Sequence, residues 1–170
     1  INGVKAIKGS QPVNDWILAM NGAGITASAA DKEAYLAAVL PPINTFSDNG
    51  TGNIGTLAKI AIALSSMGVD VRQIPDPDDS DIPINLIDLI AGYTGTLDIN
   101  NAPYLLSLYD LEDGNGNKLY PISQEAALKR SDLIAAILDT QNPGTDLFGS
   151  VDVTGLALPA LAPYYRAAAG

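Results

Sequence analysis

The chain contains no cysteine and no histidine among its 170 residues. Without cysteine there are no disulfides, no thiol nucleophile and no thiolate zinc ligands; without histidine the usual neutral-pH base and the commonest transition-metal ligand are gone. Any catalysis would have to run on carboxylates, tyrosine, lysine or serine. Basic residues are also few: nine Lys and Arg stand against nineteen Asp and Glu, a formal net charge of −10. The basic residues are mostly scattered, which argues against nucleic acid or an anionic membrane surface as partner and favours neutral or cationic ones. Long apolar runs are missing as well. Segments such as Leu133-Ile-Ala-Ala-Ile-Leu138 fall far short of the roughly 20 residues that span a bilayer, so no membrane insertion is expected. The chain opens at Ile1 with neither an initiator Met nor a signal-peptide pattern, and is expected to be a mature or excised piece of a larger protein.

What is present is apolar and small. With 47% hydrophobic and 16% charged residues, the chain can bury a core as one domain or as one arc of a repeat array. Apolar segments recur at Trp16-Ile-Leu-Ala-Met20, Ile60-Ala-Ile-Ala-Leu64, Tyr104-Leu-Leu-Ser-Leu108 and Gly155-Leu-Ala-Leu158. Met20, Leu64 and Leu108 recur at an interval of 44 residues, and Leu158 follows after 50. Two of these segments close on Gly24-Ile25 and Gly68-Val69, where a left-handed glycine is expected to end a helix.

A second set of helices is expected between them, over about Ala30 to Leu40, Ile82 to Tyr93 and Ser123 to Thr140, from apolar residues at three- and four-residue spacing. Ser123 is read as an N-cap, with Lys129-Arg130 on the side opposite the apolar stripe. Loops are expected at Asn44 to Asn53, at Pro75 to Ser80 and at Asp113-Gly-Asn-Gly-Asn117 from their Asn, Asp, Gly and Pro content. Pro159 should kink the last segment and Pro163 help to end it. A period in the forties built from two helices is the mark of an array of helical hairpins, here with units near 14–52, 53–98, 99–148 and 149–170.

Set end to end, Asp15-Trp-Ile-Leu-Ala19, Leu57-Ala-Lys-Ile-Ala-Ile-Ala-Leu-Ser-Ser-Met-Gly-Val-Asp70, Asn85-Leu-Ile-Asp-Leu-Ile90, Ala102-Pro-Tyr-Leu-Leu-Ser-Leu-Tyr-Asp110, Leu138-Asp-Thr-Gln141 and Asp152-Val-Thr-Gly-Leu-Ala-Leu-Pro-Ala-Leu-Ala-Pro-Tyr164 resemble a known family. It is the prenyltransferase and squalene-cyclase-type repeat domain of secreted bacterial surface proteins. The resemblance implies an all-α, α/α toroid-like array, terpenoid cyclase-like in architecture, whose inner helices start around a central cavity. Terpene cyclases, protein prenyltransferases and the cobalamin-carrying domain of intrinsic-factor-like proteins share that architecture, and the fold does not choose among them. Six hairpins at this period would need roughly 270 to 300 residues, so a partial ring of about seven helices is expected.

The candidate sites follow. Asp76-Pro-Asp-Asp79 fits the Asp-x-Asp-Asp acid of squalene-hopene-type cyclases, but that acid must be held neutral by burial, and a proline-broken loop reads as solvated. Asp76, Asp78, Asp79 and Asp81 also suit a calcium loop of hard oxygen ligands, beside the plainer reading of an acidic turn. Asp113 to Asn117 lacks the flanking Asp and Glu of a calcium loop and reads as a turn. The zinc site of protein prenyltransferases needs Cys and His, so the resemblance does not extend to that activity. The inner-helix starts give a ligand-binding set of Asp15, Trp16, Asn53, Thr56, Asn101, Tyr104, Asp152 and Thr154. Most of these types also occur as simple helix caps, and Trp16 also reads as core. Asp15 and Asp152 could form a glycosidase pair. The Asn49-Gly50-Thr51 sequon carries no weight.

The expectation is a non-catalytic, extracellular binding or scaffold domain, its concave face taking a small corrinoid-like molecule, a glycan, another domain of the parent protein or a second copy. No cofactor is expected apart from the calcium reading. The alternative is an enzyme of terpene-cyclase type or a carboxylate-based glycan-active toroid.

Overall fold

The computed structural model describes residues 23–50, 52–76 and 81–168. It is all-α: six helices and no strand beyond isolated β-bridges occur among the described residues. The chain falls into two compact units that divide between Leu89 and Ile90. The helix expected at Trp16 to Met20 lies outside the described residues.

In the first unit, α1 spans Ala29–Asn49. Ser28 starts it with a reciprocal capping box: its hydroxyl accepts from the Asp31 N–H at 3.2 Å, and the Asp31 carboxylate accepts from the Ser28 N–H at 3.1 Å. Tyr35, Val39, Ile43 and Phe46 form its buried stripe. The expected stop near Leu40 and the loop from Asn44 are corrected: the helix runs through Pro41 and Pro42 as far as Asn49. Both prolines are exposed. Each removes a backbone hydrogen bond, at a cost of about 3 kcal/mol in a helix interior. Beyond them Ile43 and Phe46 bury almost completely, worth about 1.5–3 kcal/mol each, and so draw the helix onward. The Thr45 hydroxyl donates to the Pro41 carbonyl at 2.9 Å, and Gly50, at φ 61°, ends the helix.

Helix α2, Ile54–Ser66, packs against α1 and is buried on nearly every side, from Ile54 to Leu64. A helix apolar all round belongs at the centre of its unit. Its end follows the sequence expectation. Gly68, at φ 76°, donates to the Ser65 carbonyl at 2.9 Å, and Val69 donates to that of Leu64 at 3.0 Å, a complete Schellman motif.

The chain then turns through buried Val71 and Ile74, and Ile74 and Ile84 exchange both backbone hydrogen bonds at 3.1 and 2.8 Å. This bridge pins the base of the acidic segment. Helix α3, Leu86–Ala91, is shorter than the expected Ile82 to Tyr93. Asn85 fixes its start, its side-chain oxygen accepting from the N–H groups of Ile87 and Asp88 at 3.0 and 3.2 Å. Ile82, read as helical, is exposed ahead of Pro83.

In the second unit, α4 is Ala102–Tyr109, α5 is Arg130–Leu138 and α6 is Val151–Ala168. Helix α4 packs against both others. Its Leu105, Leu106, Leu108 and Tyr109 are fully buried, as are Leu133 and Ile137 of α5. Helix α5 starts seven residues later than expected. Ser123 does not cap a helix: its hydroxyl accepts from Glu125 N–H at 3.1 Å in a single turn, and the Leu128 N–H goes to the Ala91 carbonyl at 2.9 Å. Asp132 then accepts from the Lys129 N–H at 2.9 Å to open α5. Pro163 does not end α6, which continues to Ala168.

Candidate functional site

The Asn53 side-chain oxygen accepts from the N–H groups of Gly55 and Thr56 at 2.8 and 3.2 Å, which satisfies two of the four free donors of α2. Asn101 makes no side-chain cap. Instead the turn before α4 is organised by Asp98, whose carbonyl accepts from Asn101 N–H at 2.8 Å and whose carboxylate accepts from Asn100 N–H at 2.9 Å. Tyr104 is half-buried on α4. At α6 the cap is Ser150, which accepts from Val153 N–H at 3.2 Å; Asp152 is exposed in the first turn. Thr154 donates to the Ser150 carbonyl at 2.7 Å and accepts from the Phe148 N–H at 2.8 Å. Asp15 and Trp16 lie outside the described residues.

Of the acidic set, Asp78 and Asp79 lie outside the described residues, while Asp76 is half-buried and Asp81 exposed on either side of the Ile74–Ile84 bridge. No group of three carboxylates converges among the described residues. The segment at Asp113 is the turn its composition predicts: the carboxylate accepts from the N–H groups of Asn115 and Asn117 at 2.8 and 2.9 Å, and Gly116 is left-handed. Those N–H groups, that of Asn117 foremost, hold the Asp113 carboxyl below the usual carboxylate range.

Among the described residues, the densest polar arrangement lies elsewhere, at the C-terminal end of α4. Asp110, with only 11% of its side chain exposed, accepts from Arg130 Nε at 3.0 Å and from the Tyr164 hydroxyl at 2.6 Å, and Lys118 Nζ stands 3.3 Å away. Three cationic or hydroxyl donors from three parts of the second unit thus meet one carboxylate. The Arg130 guanidinium also donates to the Tyr109 carbonyl and sits 5.8 Å from the centre of the Tyr109 ring. It therefore stabilises the negative end of α4 and adds a cation–π contact. The Tyr109 hydroxyl donates to the Leu128 carbonyl at 3.2 Å.

Electrostatics follow this geometry. Burial pushes the Tyr109 phenol up to about 12 against the opposing charge of Arg130. Burial, reinforced by the hydrogen bond and charge of Asp110, pushes the Tyr164 phenol well above its ordinary value. The hydrogen bond from Lys118 to Glu112 at 2.9 Å, with Asp110 adding its charge, raises the Lys118 ammonium. The four side chains Asp110, Lys118, Arg130 and Tyr164 stand up to 54 residues apart. Reading Arg130 as part of an outward basic pair is corrected: the late start of α5 turns it towards α4.

Comparisons with protein-family models, with characterised proteins and with solved structures return no match to this chain.

Proposed function

We propose that the chain is a non-catalytic binding or scaffold domain of a bacterial extracellular surface protein. In this reading it is a partial toroid-like ring of helical hairpins, repeating near 14–52, 53–98, 99–148 and 149–170. The observation that carries the proposal is the engagement of Asp110. Its carboxylate is taken up by Arg130, Tyr164 and Lys118, and a carboxylate so engaged braces the elements that carry those three side chains. The polar residues at helix starts support the same reading, since Asn53 and Thr154 spend their side chains on backbone groups. The partner is another domain of the parent protein or a second copy, with a corrinoid-like molecule or a glycan as the small-molecule version.

A thermal-shift series tests this, because a ligand that prefers the native state raises apparent stability. A rise with a corrinoid or a glycan, lost in Tyr104→Ala, supports binding at the α4 start. A rise with isoprenoid diphosphates alone supports the cyclase alternative and overturns the proposal. A rise with calcium that disappears in Asp76→Asn and Asp81→Asn assigns the acidic segment to the metal.

A further inference from the structure

Helix α6 is built unlike the other helices of its unit. Pro159 and Pro163 both lie inside it, and each deletes an intrahelical hydrogen bond, leaving the carbonyls of Gly155 and Pro159 without their i+4 donors. Gly155 weakens the same stretch by roughly 1 kcal/mol relative to alanine, and an added Cβ there would meet nothing within 4 Å. Among its side chains described up to Tyr165, the inward anchors of the helix are small or few: Val153, Ala157, Ala160 and Leu161. Val151, Leu158 and Tyr165 recur every seven residues on another face and are 73, 53 and 58% exposed, so they add little to docking. Among the side chains described past Pro159, those up to Tyr165, a polar tether is the hydroxyl of Tyr164 on the carboxylate of Asp110, at 2.6 Å.

We propose that the part of α6 beyond Pro159 is a latched strap. It opens and recloses as a unit while α4 and α5 stay folded, and the Tyr164–Asp110 hydrogen bond sets the closed fraction. The physical ground is an imbalance. The segment has lost two helix bonds and presents a modest apolar contact, whereas α4 and α5 bury large side chains completely. A charge-assisted hydrogen bond at Tyr164 is then a larger share of what holds the strap than of what holds the unit. The Arg130–Asp110 pair does not depend on the strap, so opening leaves Asp110 partnered and α4 braced.

Native-state hydrogen exchange of the full chain, read by mass spectrometry over 160–168 and over α4 and α5, tests the latch. Tyr164→Phe keeps the ring and removes only the donor. The expected result is exchange about ten-fold or more faster in 160–168, with α4 and α5 changed by less than about two-fold, as follows from a hydrogen bond to a charged group. Pro163→Ala should slow exchange in the same segment by restoring a helix bond. The proposal is overturned if Tyr164→Phe speeds exchange uniformly across α4, α5 and α6, because the helix then belongs to one cooperative unit. It is equally overturned if neither variant changes the segment.

Discussion

The Thr154 hydroxyl accepts from the backbone N–H of Phe148, six residues earlier, at 2.8 Å, and so ties the first turn of α6 to the loop that delivers it. Phe148 is almost fully buried, and its side chain is held in the core by a backbone that would otherwise carry a free donor. Replacing Thr154 with Ala should cost about 1–3 kcal/mol, the penalty of an orphaned, partly buried amide. Thr154→Ser should cost much less. Urea denaturation of both variants checks the difference. Equal losses would mean that the methyl group, not the hydroxyl, carries the effect.

Asp110 and Arg130 should behave as a coupled pair. Asp110→Ala leaves Arg130 and Tyr164 without their shared acceptor, and Arg130→Ala leaves the Tyr109 carbonyl without its guanidinium donor. Each single change is expected to destabilise by about 1.5–3 kcal/mol, and the double variant by less than the sum, because the second removal finds part of the interaction already gone. A double-mutant cycle in denaturant measures this. Additive losses would show the two residues to be independent and would remove the main support for the bracing role of Asp110.

How far the sequence could be read depends on how local each signal is. The Gly68 stop was legible because a Schellman motif is written in consecutive residues, and the turn at Asp113 was legible for the same reason. The length of α1 was not. Its Pro41-Pro42 pair and the polar run to Asn49 score as breakers, while the buried stripe through Ile43 and Phe46 that overrides them is a tertiary effect. The late start of α5 was hidden similarly, since Leu128 keeps the apolar spacing of a helix while its N–H is taken by Ala91 from outside. Asp110, Lys118, Arg130 and Tyr164 have no shared periodicity. Only folding brings them together, and nothing in one sequence distinguishes them from surface charge.

Helix α2 offers a sharp test of capping in an otherwise apolar segment. Asn53→Ala removes two hydrogen bonds to the backbone and should cost about 1 kcal/mol, whereas Asn53→Asp should be neutral or slightly stabilising at the positive end of the helix. Gly68→Ala should cost about 1–2 kcal/mol, because a Cβ is strained at φ 76° even though its nearest neighbour, Lys32 Nζ, would stand at an ordinary contact distance of 3.6 Å. Chemical denaturation with unchanged m-values would confirm both as native-state effects.

Alkaline pH should loosen the second unit from the α6 side. A phenol whose folded pKa is raised contributes stability that is fully present below its unfolded value, about 10, and that is lost as pH climbs towards the folded value. Tyr109, at about 12, and Tyr164, raised by burial and by Asp110, both have this sign, and Lys118 joins them because its ammonium is favoured in the fold. The carboxyls of Asp70 and Asp113 have the opposite sign: both are depressed, so what they contribute is present above about pH 4 and is lost only below it. Stability should therefore be nearly flat from about pH 5 to 9 and fall above about 10. Tyr164→Phe should reduce the alkaline slope without touching the acid limb, since it removes one titrating phenol and leaves the others. Denaturation at pH values on either side of 10 reads this directly. An unchanged alkaline slope in the variant would mean that Tyr164 does not meet Asp110 in solution, and the latch would lose its basis.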